Sequence, residues 1–220
     1  MSNVAPVRPS WMVAVVLLGF ACAKRSPGGN AAPVQQLPPA APGQLRPVEA
    51  FQRIPDAAQR SRALFLEACR AFLHPRCANC HPDGDTPLQG SDGRAHDPPV
   101  LRGANDDGVV GMRCGSCHQE QNLELARVPG APHWHLAPRF MAWVGKSPRA
   151  ICEQMKDPQR NGKRRLTEIV EHNAHDELVG WGWHPGHGRE PAPGTQEQLG
   201  KLVAAWVETG AECPEEGARP

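Results

Sequence analysis

Apolar side chains recur along part of the chain with the spacing of amphipathic helices. From residue 56 to residue 73 they follow one another at steps of one, three and four residues, at Phe65, Leu66, Cys69, Phe72 and Leu73. Residues at such steps share one face of a helix, so the pattern predicts a helix with one buried side. Asp56 is suited to cap its N-terminus, and Pro75 is suited to end it.

Three further stretches carry helix signals, and none of the chain alternates convincingly as a strand. The predicted helices cover residues 147–156, where Pro148 suits the first helical position, residues 165–173 and residues 195–209. Residues 82–111 are rich in Gly, Asp and Pro, a composition typical of turns. We therefore expect a mainly α fold in which short helices are joined by long ordered loops.

Near the N-terminus the chain has a continuous apolar run over residues 11–21, preceded by one basic side chain, Arg8. The run is about half as long as the roughly 20 residues that span a bilayer, and it has the length of the apolar part of a signal peptide. The sequence therefore predicts a signal peptide over residues 1–22 and an exported, periplasmic protein.

Two processing sites are compatible with this run. Residues 18–22 resemble a bacterial lipoprotein site, in which Cys22 becomes the lipidated first residue, although Leu18 stands one position further from the cysteine than is usual. Ordinary cleavage beside the small residues Ala21 and Ala23 is the alternative, and it would discard Cys22. We favour lipidation at Cys22, which predicts a membrane-anchored lipoprotein.

The rest of the chain divides into a tether, a domain and a tail. Residues 23–50 are dominated by Pro, Ala, Gly and Gln and show no apolar periodicity, which predicts a flexible tether. Residues 51–214 carry the predicted helices. Residues 215–220 are expected to form a disordered C-terminal tail.

The composition limits what this domain can be. The formal net charge is +1, from 24 basic and 23 acidic residues, so the chain lacks the basic field that gathers around nucleic acid. Aromatic residues make up 5% of the chain and tyrosine is absent, whereas glycine and proline number 22 and 24. Such long loops with so few aromatic side chains suggest that a prosthetic group fills part of the core.

A motif that occurs twice indicates which group this is. Cys-x-x-Cys-His attaches c-type haem: the two thiols form thioethers with the porphyrin vinyl groups, and the adjacent histidine becomes the proximal iron ligand. The two copies predict two covalently bound haem c groups and a cytochrome c-like dihaem domain. The predicted haem-binding residues are Cys77, Cys80, His81, Cys114, Cys117 and His118.

Two other uses of paired cysteines remain open. Cys-x-x-Cys pairs also build structural zinc sites, and in an oxidising compartment they can close as disulfides. Neither use requires a histidine directly after both pairs. The two histidines and the export signal together favour haem.

The second axial ligand of each iron decides whether the iron only carries electrons or also binds a substrate. His96, in the loop between the motifs, and His172, on a predicted helix, are the histidine candidates. Met141 is the methionine candidate and would raise the reduction potential. The ordinary alternatives are a solvated histidine and a methionine that fills the core. His133 and His135 are weaker candidates and are expected to face solvent.

Three cysteines lie in the domain outside the motifs. Cys69 is on the apolar face of the first predicted helix, where a buried inert thiol is expected. Cys152 and Cys213 are candidates for a disulfide that would fix the last helix, which an oxidising compartment permits.

Five stretches of the domain also carry a resemblance. They are CANCHPDGDTPLQG, RCGSCHQEQNL, PGAPHWHLAP, AWVGKSPRAICEQMKDP and DELVGWGWHPGHGREPAPGTQ. Over about residues 73–214 the chain resembles small bacterial proteins called isoquinoline 1-oxidoreductase subunit. The resemblance implies a molybdenum hydroxylase of the xanthine oxidase type as redox partner, and it carries over only the six motif residues. The chain has no cysteine set for an iron–sulfur cluster and no molybdopterin motif, so it is not itself the hydroxylase.

Together these features predict a dihaem cytochrome c that relays single electrons from a dehydrogenase or molybdenum hydroxylase to a respiratory acceptor, without catalysis of its own. A small dihaem peroxidase, with one iron open to peroxide, is the alternative from another class. A zinc-stabilised structural or binding module is the third hypothesis.

Overall fold

The computed structural model describes residues 1–2, 37 and 39–220. The apolar run over residues 11–21, Cys22 and the first part of the predicted tether lie outside the described residues. In the described part of the chain, no helix is both long and apolar enough to cross a membrane.

The described residues form a mainly α fold, as the sequence predicts. The α-helices are α1 (Ala57–Phe72), α2 (Pro75–Ala78), α3 (Pro148–Lys156), α4 (Leu166–His175), α5 (Glu177–Gly180) and α6 (Gln196–Glu208). Short 3-10 helices cover Val48–Arg53, Cys114–Ser116, Glu124–Ala126, Arg139–Met141 and Trp181–Trp183. The short helices α2 and α5 lack enough residues to show a period, and the sequence pattern did not predict them.

The long helices begin where side chains satisfy their free N–H groups. Asp56 accepts a hydrogen bond from the Gln59 amide at 2.7 Å, Ser147 accepts one from Ala150 at 3.2 Å, and Thr195 accepts one from Gln198 at 3.1 Å. Such N-caps typically stabilise a helix by about 1 kcal/mol each. The four predicted helices are therefore confirmed, and the starts of α1, α3 and α6 are set by local capping.

The core lies where α1 packs against α6 and α3. Phe65 of α1 lies 4.8 Å from Trp206 of α6 and 5.9 Å from Phe72, measured between ring centroids. Phe72 in turn lies 5.2 Å from Trp143. Few aromatic side chains are present, but these four form one continuous buried series.

The ordered domain starts earlier than the predicted boundary at residue 51. Leu45 is buried in the core, and the Gly194 amide donates to the Gly43 carbonyl at 2.9 Å. Arg46 pairs with Glu67, whose side chain is buried on α1. These contacts place residues 43–50 in the domain. One buried leucine and one ion pair to a buried glutamate fix this stretch, although it has no apolar periodicity.

The glycine-rich stretch between the two motifs contains two small antiparallel hairpins. Strand β1 (Leu88–Gln89) pairs with β2 (Arg94–Ala95), and β3 (Gly108–Val109) pairs with β4 (Met112–Arg113). Each strand has two residues, which is too few for an alternating pattern. The sequence therefore predicted the turns of this stretch but not its strands.

The cysteines outside the motifs behave as their positions suggest. Cys152 of α3 forms a disulfide with Cys213, which follows α6, with the two Cα atoms 5.6 Å apart. Cys69 is fully buried on α1, and burial raises the pKa of its thiol. The disulfide therefore fixes the end of the chain after α6 to α3, while Cys69 is an inert core residue. The tail after Cys213 has a polar contact with the domain, because Glu215 lies 3.7 Å from the Arg62 side chain.

Candidate haem-binding sites

The first motif lies at the end of α2. Cys77 belongs to that helix, and the turn continues as the Cys80 amide donates to the Cys77 carbonyl at 3.1 Å and the His81 amide donates to Ala78 at 2.9 Å. Pro75 starts the helix at its first position. The local sequence thus winds both cysteines and the histidine into one and a half tight turns.

The second motif has the same local fold. Cys114 opens a 3-10 turn, the Cys117 amide donates to the Cys114 carbonyl at 3.2 Å, and the His118 amide donates to the same carbonyl at 2.9 Å. The hairpin β3–β4 leads into this turn, since the Cys114 amide donates to Asp107 at 2.8 Å. Two different surroundings therefore present the same motif in the same form.

His81 is held by one hydrogen bond and one ring contact. Its Nδ1 lies 2.7 Å from the Met141 carbonyl oxygen, and its ring stacks on Trp143 with centroids 3.6 Å apart and planes 6° from parallel. A carbonyl oxygen only accepts, so Nδ1 must carry the proton. The lone pair of the imidazole is therefore on Nε2, the nitrogen that can bind iron.

His118 is held in the same way. Its Nδ1 lies 2.7 Å from the Pro129 carbonyl oxygen, and its ring stacks on Trp134 with centroids 4.5 Å apart and planes 5° from parallel. The tautomer is again fixed, with the lone pair on Nε2. A hydrogen bond from the other ring nitrogen is the usual support of a histidine that binds a metal.

One stretch of chain supplies both sets of contacts. Residues 129–143, here called the central segment, contain both accepting carbonyls and both stacked tryptophans. The segment is also joined to the first motif directly, because the Ala137 amide donates to the Cys80 carbonyl at 2.9 Å. The two motifs are therefore supported by the same 15 residues of backbone.

A buried guanidinium fixes the central segment to the loop that follows the first motif. Arg102 is 4% exposed and donates to the carbonyls of Ala137 at 2.7 Å and Gly84 at 3.1 Å. It also pairs with Asp106. These bonds occupy most of its donors, so Arg102 acts as a structural clamp beside His81.

Burial keeps both motif histidines neutral. It lowers the pKa of His81 to about 4, although the bond to the Met141 carbonyl acts in the opposite direction. Burial also lowers the pKa of His118. The neutral form is the one that binds a metal through its lone pair.

Burial raises the pKa of the first motif's thiols, to about 12 for Cys77 and to about 11 for Cys80. At Cys80 burial is the larger cause, and the charge that Cys114 carries as a thiolate is a smaller one. Cys77, Cys80, Cys114 and Cys117 are all free of disulfides.

The motif residues have the groups that attachment of a c-type haem requires. Among residues 1–2, 37 and 39–220, no group of three or more His, Cys, Asp or Glu is placed to hold a metal ion. A haem needs no such group, because its iron takes only axial ligands from the protein and the porphyrin is fixed by thioethers. Free thiols and a neutral histidine with an available Nε2 are the groups that this attachment requires.

A cavity opens beside the second motif. Its volume is about 610 Å³, within the range of roughly 300–1,000 Å³ typical of ligand pockets. The lining includes His118, Trp134, His133 and His135. His133 and His135 are exposed, as the sequence predicted, and their place at this cavity was not predicted.

The histidine candidates for the second ligand lie near the motifs. The ring centroid of His96 is 5.9 Å from that of His118, and its Nδ1 lies 2.8 Å from the Pro98 carbonyl, which leaves the lone pair on Nε2. His96 therefore lies close to His118 and stays the predicted second ligand of that iron.

The other two candidates have different surroundings. The Nδ1 of His172 lies 3.2 Å from an Asp176 carboxylate oxygen. The backbone of Met141 lies against Nδ1 of His81, on the side of the ring away from Nε2. His172 and Met141 both stay predicted candidates for the second ligand of the first iron.

Comparison of the chain with family models, curated proteins and solved structures found no match. A functional proposal therefore rests on the geometry of the two motifs and on the resemblance to the isoquinoline 1-oxidoreductase subunits. The tryptophans of the central segment were missed by the sequence analysis. The available signal was that six of the chain's eleven aromatic residues are tryptophans.

Proposed function

We propose that the protein is an exported dihaem cytochrome c that relays single electrons. The observation that carries the proposal is the duplication of one arrangement: a Cys-x-x-Cys-His turn whose histidine has Nδ1 bonded to a backbone carbonyl and its ring stacked on tryptophan. When bound, c-type haem supplies a one-electron couple at its iron.

The chain's own residues have separate tasks in this proposal. Cys77 and Cys80 would anchor one haem and Cys114 and Cys117 the other, while Nε2 of each motif histidine would bind the iron. The carbonyl bonds hold each imidazole in the tautomer that ligation needs. The tryptophans restrict rotation of the rings, so the ligands would keep one orientation through oxidation and reduction.

The redox partners are proposed from the resemblance. They are a periplasmic dehydrogenase or molybdenum hydroxylase as electron donor and a respiratory protein as acceptor. Both motif histidines are bonded to carbonyls of the central segment, which supports internal transfer between the two haems, because electron transfer requires closely spaced centres.

The first experiment is expression in a host that matures c-type cytochromes. We expect the intact mass to show two haems, a denaturing gel to show covalent haem, and both redox states to give low-spin spectra. A high-spin fraction that reacts with peroxide would instead support the peroxidase. No haem, with zinc in the purified protein, would support the zinc-stabilised module.

Cysteine variants give the matched control. Replacing Cys77 and Cys80 with alanine should remove one haem from the intact mass, and replacing Cys114 and Cys117 should remove the other. Cys69→Ala changes a free thiol outside the motifs and should retain both haems. Equal haem content in all three variants would contradict the assignment.

A further inference from the structure

Two carboxamide side chains outside the motifs complete the support of the histidines. Gln154 on α3 is 7% exposed. Its Oε1 accepts from the indole N–H of Trp143 at 2.9 Å, and its Nε2 donates to the Phe140 carbonyl at 2.8 Å. Gln154 therefore binds both the tryptophan that stacks on His81 and the backbone beside Met141.

Asn122 has the corresponding contacts near the second motif. Its Oδ1 accepts from the Gly130 amide at 3.0 Å and from the indole N–H of Trp181 at 3.0 Å. Trp181 packs edge-on against Trp134, with centroids 4.9 Å apart. Gly130 directly follows Pro129, whose carbonyl binds His118.

The second carboxamide is itself fixed by the chain. Its Nδ2 donates to the His184 carbonyl at 2.9 Å, in the turn that also contains Trp181. Asn122 therefore ties the central segment to the C-terminal third of the domain. Gln154 ties the same segment to α3, so each carboxamide bridges the segment to a different element.

We propose that Gln154 and Asn122 are positioning residues that set the two haems separately, Gln154 through His81 and Asn122 through His118. This rests on the proposed function. Each amide fixes a carbonyl-bearing stretch and, directly or through Trp181, the tryptophan on the histidine. The hydrogen bond to a ligand imidazole controls its basicity, and ligand basicity and orientation control the reduction potential of the iron.

The test uses the full-length dihaem protein with Gln154→Leu, Asn122→Leu and the double variant. A redox titration of the wild-type protein should show two one-electron waves. Each single variant should shift one wave, the two variants should shift different waves, and the double variant should shift both. The haem methyl resonances in NMR should change for one haem in each single variant, because they report the plane of the axial imidazole.

A control separates this role from a loss of stability. Asn161 is 2% exposed and its amide donates to the Met155 carbonyl at 2.7 Å, away from the central segment. Asn161→Leu should lower stability and leave both waves in place. Gln154→Glu and Asn122→Asp keep the acceptor for the indole but put a carboxylate oxygen where an amide N–H donates to the Phe140 or His184 carbonyl, so each should also shift its own wave.

Each outcome bears on the proposal. Waves that move together, or no more than in Asn161→Leu, would overturn the separate roles while the haem content of the same samples still supported the cytochrome. Absence of covalent haem would overturn both. If a leucine variant does not fold, the same redox titration is made with Gln154→Glu and Asn122→Asp. Unchanged waves in both acidic variants would overturn the inference.

Discussion

His81 and His118 each present Nε2 as the nitrogen with the free lone pair, and in each case a backbone carbonyl fixes this. The acceptor is the peptide oxygen of Met141 or Pro129, not a side chain. Substitution of the Met141 side chain therefore leaves the bond to His81 in place. A Met141 variant therefore tests whether the sulfur binds iron, because the variant keeps the backbone carbonyl that supports His81.

The proposed second ligands can be tested one at a time. We expect His96→Ala to convert the second haem to high spin and His172→Ala to convert the first, because each change would leave the iron with one strong axial ligand. His175→Ala is the matched control for His172, since His175 lies on the same helix with a side chain that is 70% exposed. Unchanged optical and EPR spectra for both histidine variants would retire them as ligands.

The haem-free chain should lose stability in mild acid. The folded pKa of His81 is about 4, below its unfolded value of 6.5, so the unfolded chain binds more protons as the pH falls below 6.5. Stability is therefore full above about pH 6.5 and falls towards pH 4, by on the order of 3 kcal/mol for a shift of this size. The lowered pKa of His118 acts in the same direction. Urea unfolding of the haem-free protein at several pH values measures this, and His81→Asn should flatten the slope.

Sequence patterns predict elements whose signals are local, and they miss the long-range contacts of the central segment. The starts of α3 and α6 were predicted because helix-start signals such as Pro148 are local, and the caps that the structure shows at Ser147 and Thr195 involve residues only three positions away. The hydrogen-bond partner of His81 was not predicted, because Met141 lies 60 residues away along the chain. Contacts of that range depend on the path of the whole loop, which leaves no period or local signal in the sequence.

At Gly130 this segment passes close to the chain after the second motif. A Cβ on Gly130 would overlap with the carbonyl oxygens of Gln119 and Gln121. We expect Gly130→Ala to displace the neighbouring Pro129 carbonyl, to perturb the second haem and to lower stability by about 1–3 kcal/mol. Gly84→Ala is the control, since a Cβ there has no neighbour within 4 Å. Equal spectra and stability for the two variants would show that the segment adapts freely.

The disulfide between Cys152 and Cys213 joins α3 to the end of the chain across 61 residues. Closing a loop of this length restricts the unfolded chain and stabilises the fold by about 4 kcal/mol at 25 °C. Replacing both cysteines with serine should lower the free energy of unfolding by a comparable amount while both haems remain attached. Wild-type protein treated with reductant should behave as the variant does. A variant as stable as the untreated protein would show that the bridge is absent in solution.

At the scale of the whole molecule, the folded domain and the proposed anchor are separate parts of one chain. The described domain reaches back to residues 43–50, so the ordered part extends closer to Cys22 than composition indicated. Composition failed there because a stretch without apolar period is fixed by Leu45 and by the pairing of Arg46 with Glu67.

The proposed lipidation of Cys22 predicts where the molecule is found in the cell. Stable membrane anchoring takes more than one acyl chain, and a lipidated lipoprotein cysteine would carry these chains. Cys22→Ala should move the protein from the membrane fraction to the soluble fraction while its haem content stays the same. Cys69→Ala is the control, because that thiol is buried in α1 and should leave the distribution as it is. If Cys22→Ala and the wild-type protein fractionate alike, ordinary cleavage is the processing route and the redox partner must be met without a lipid anchor at Cys22.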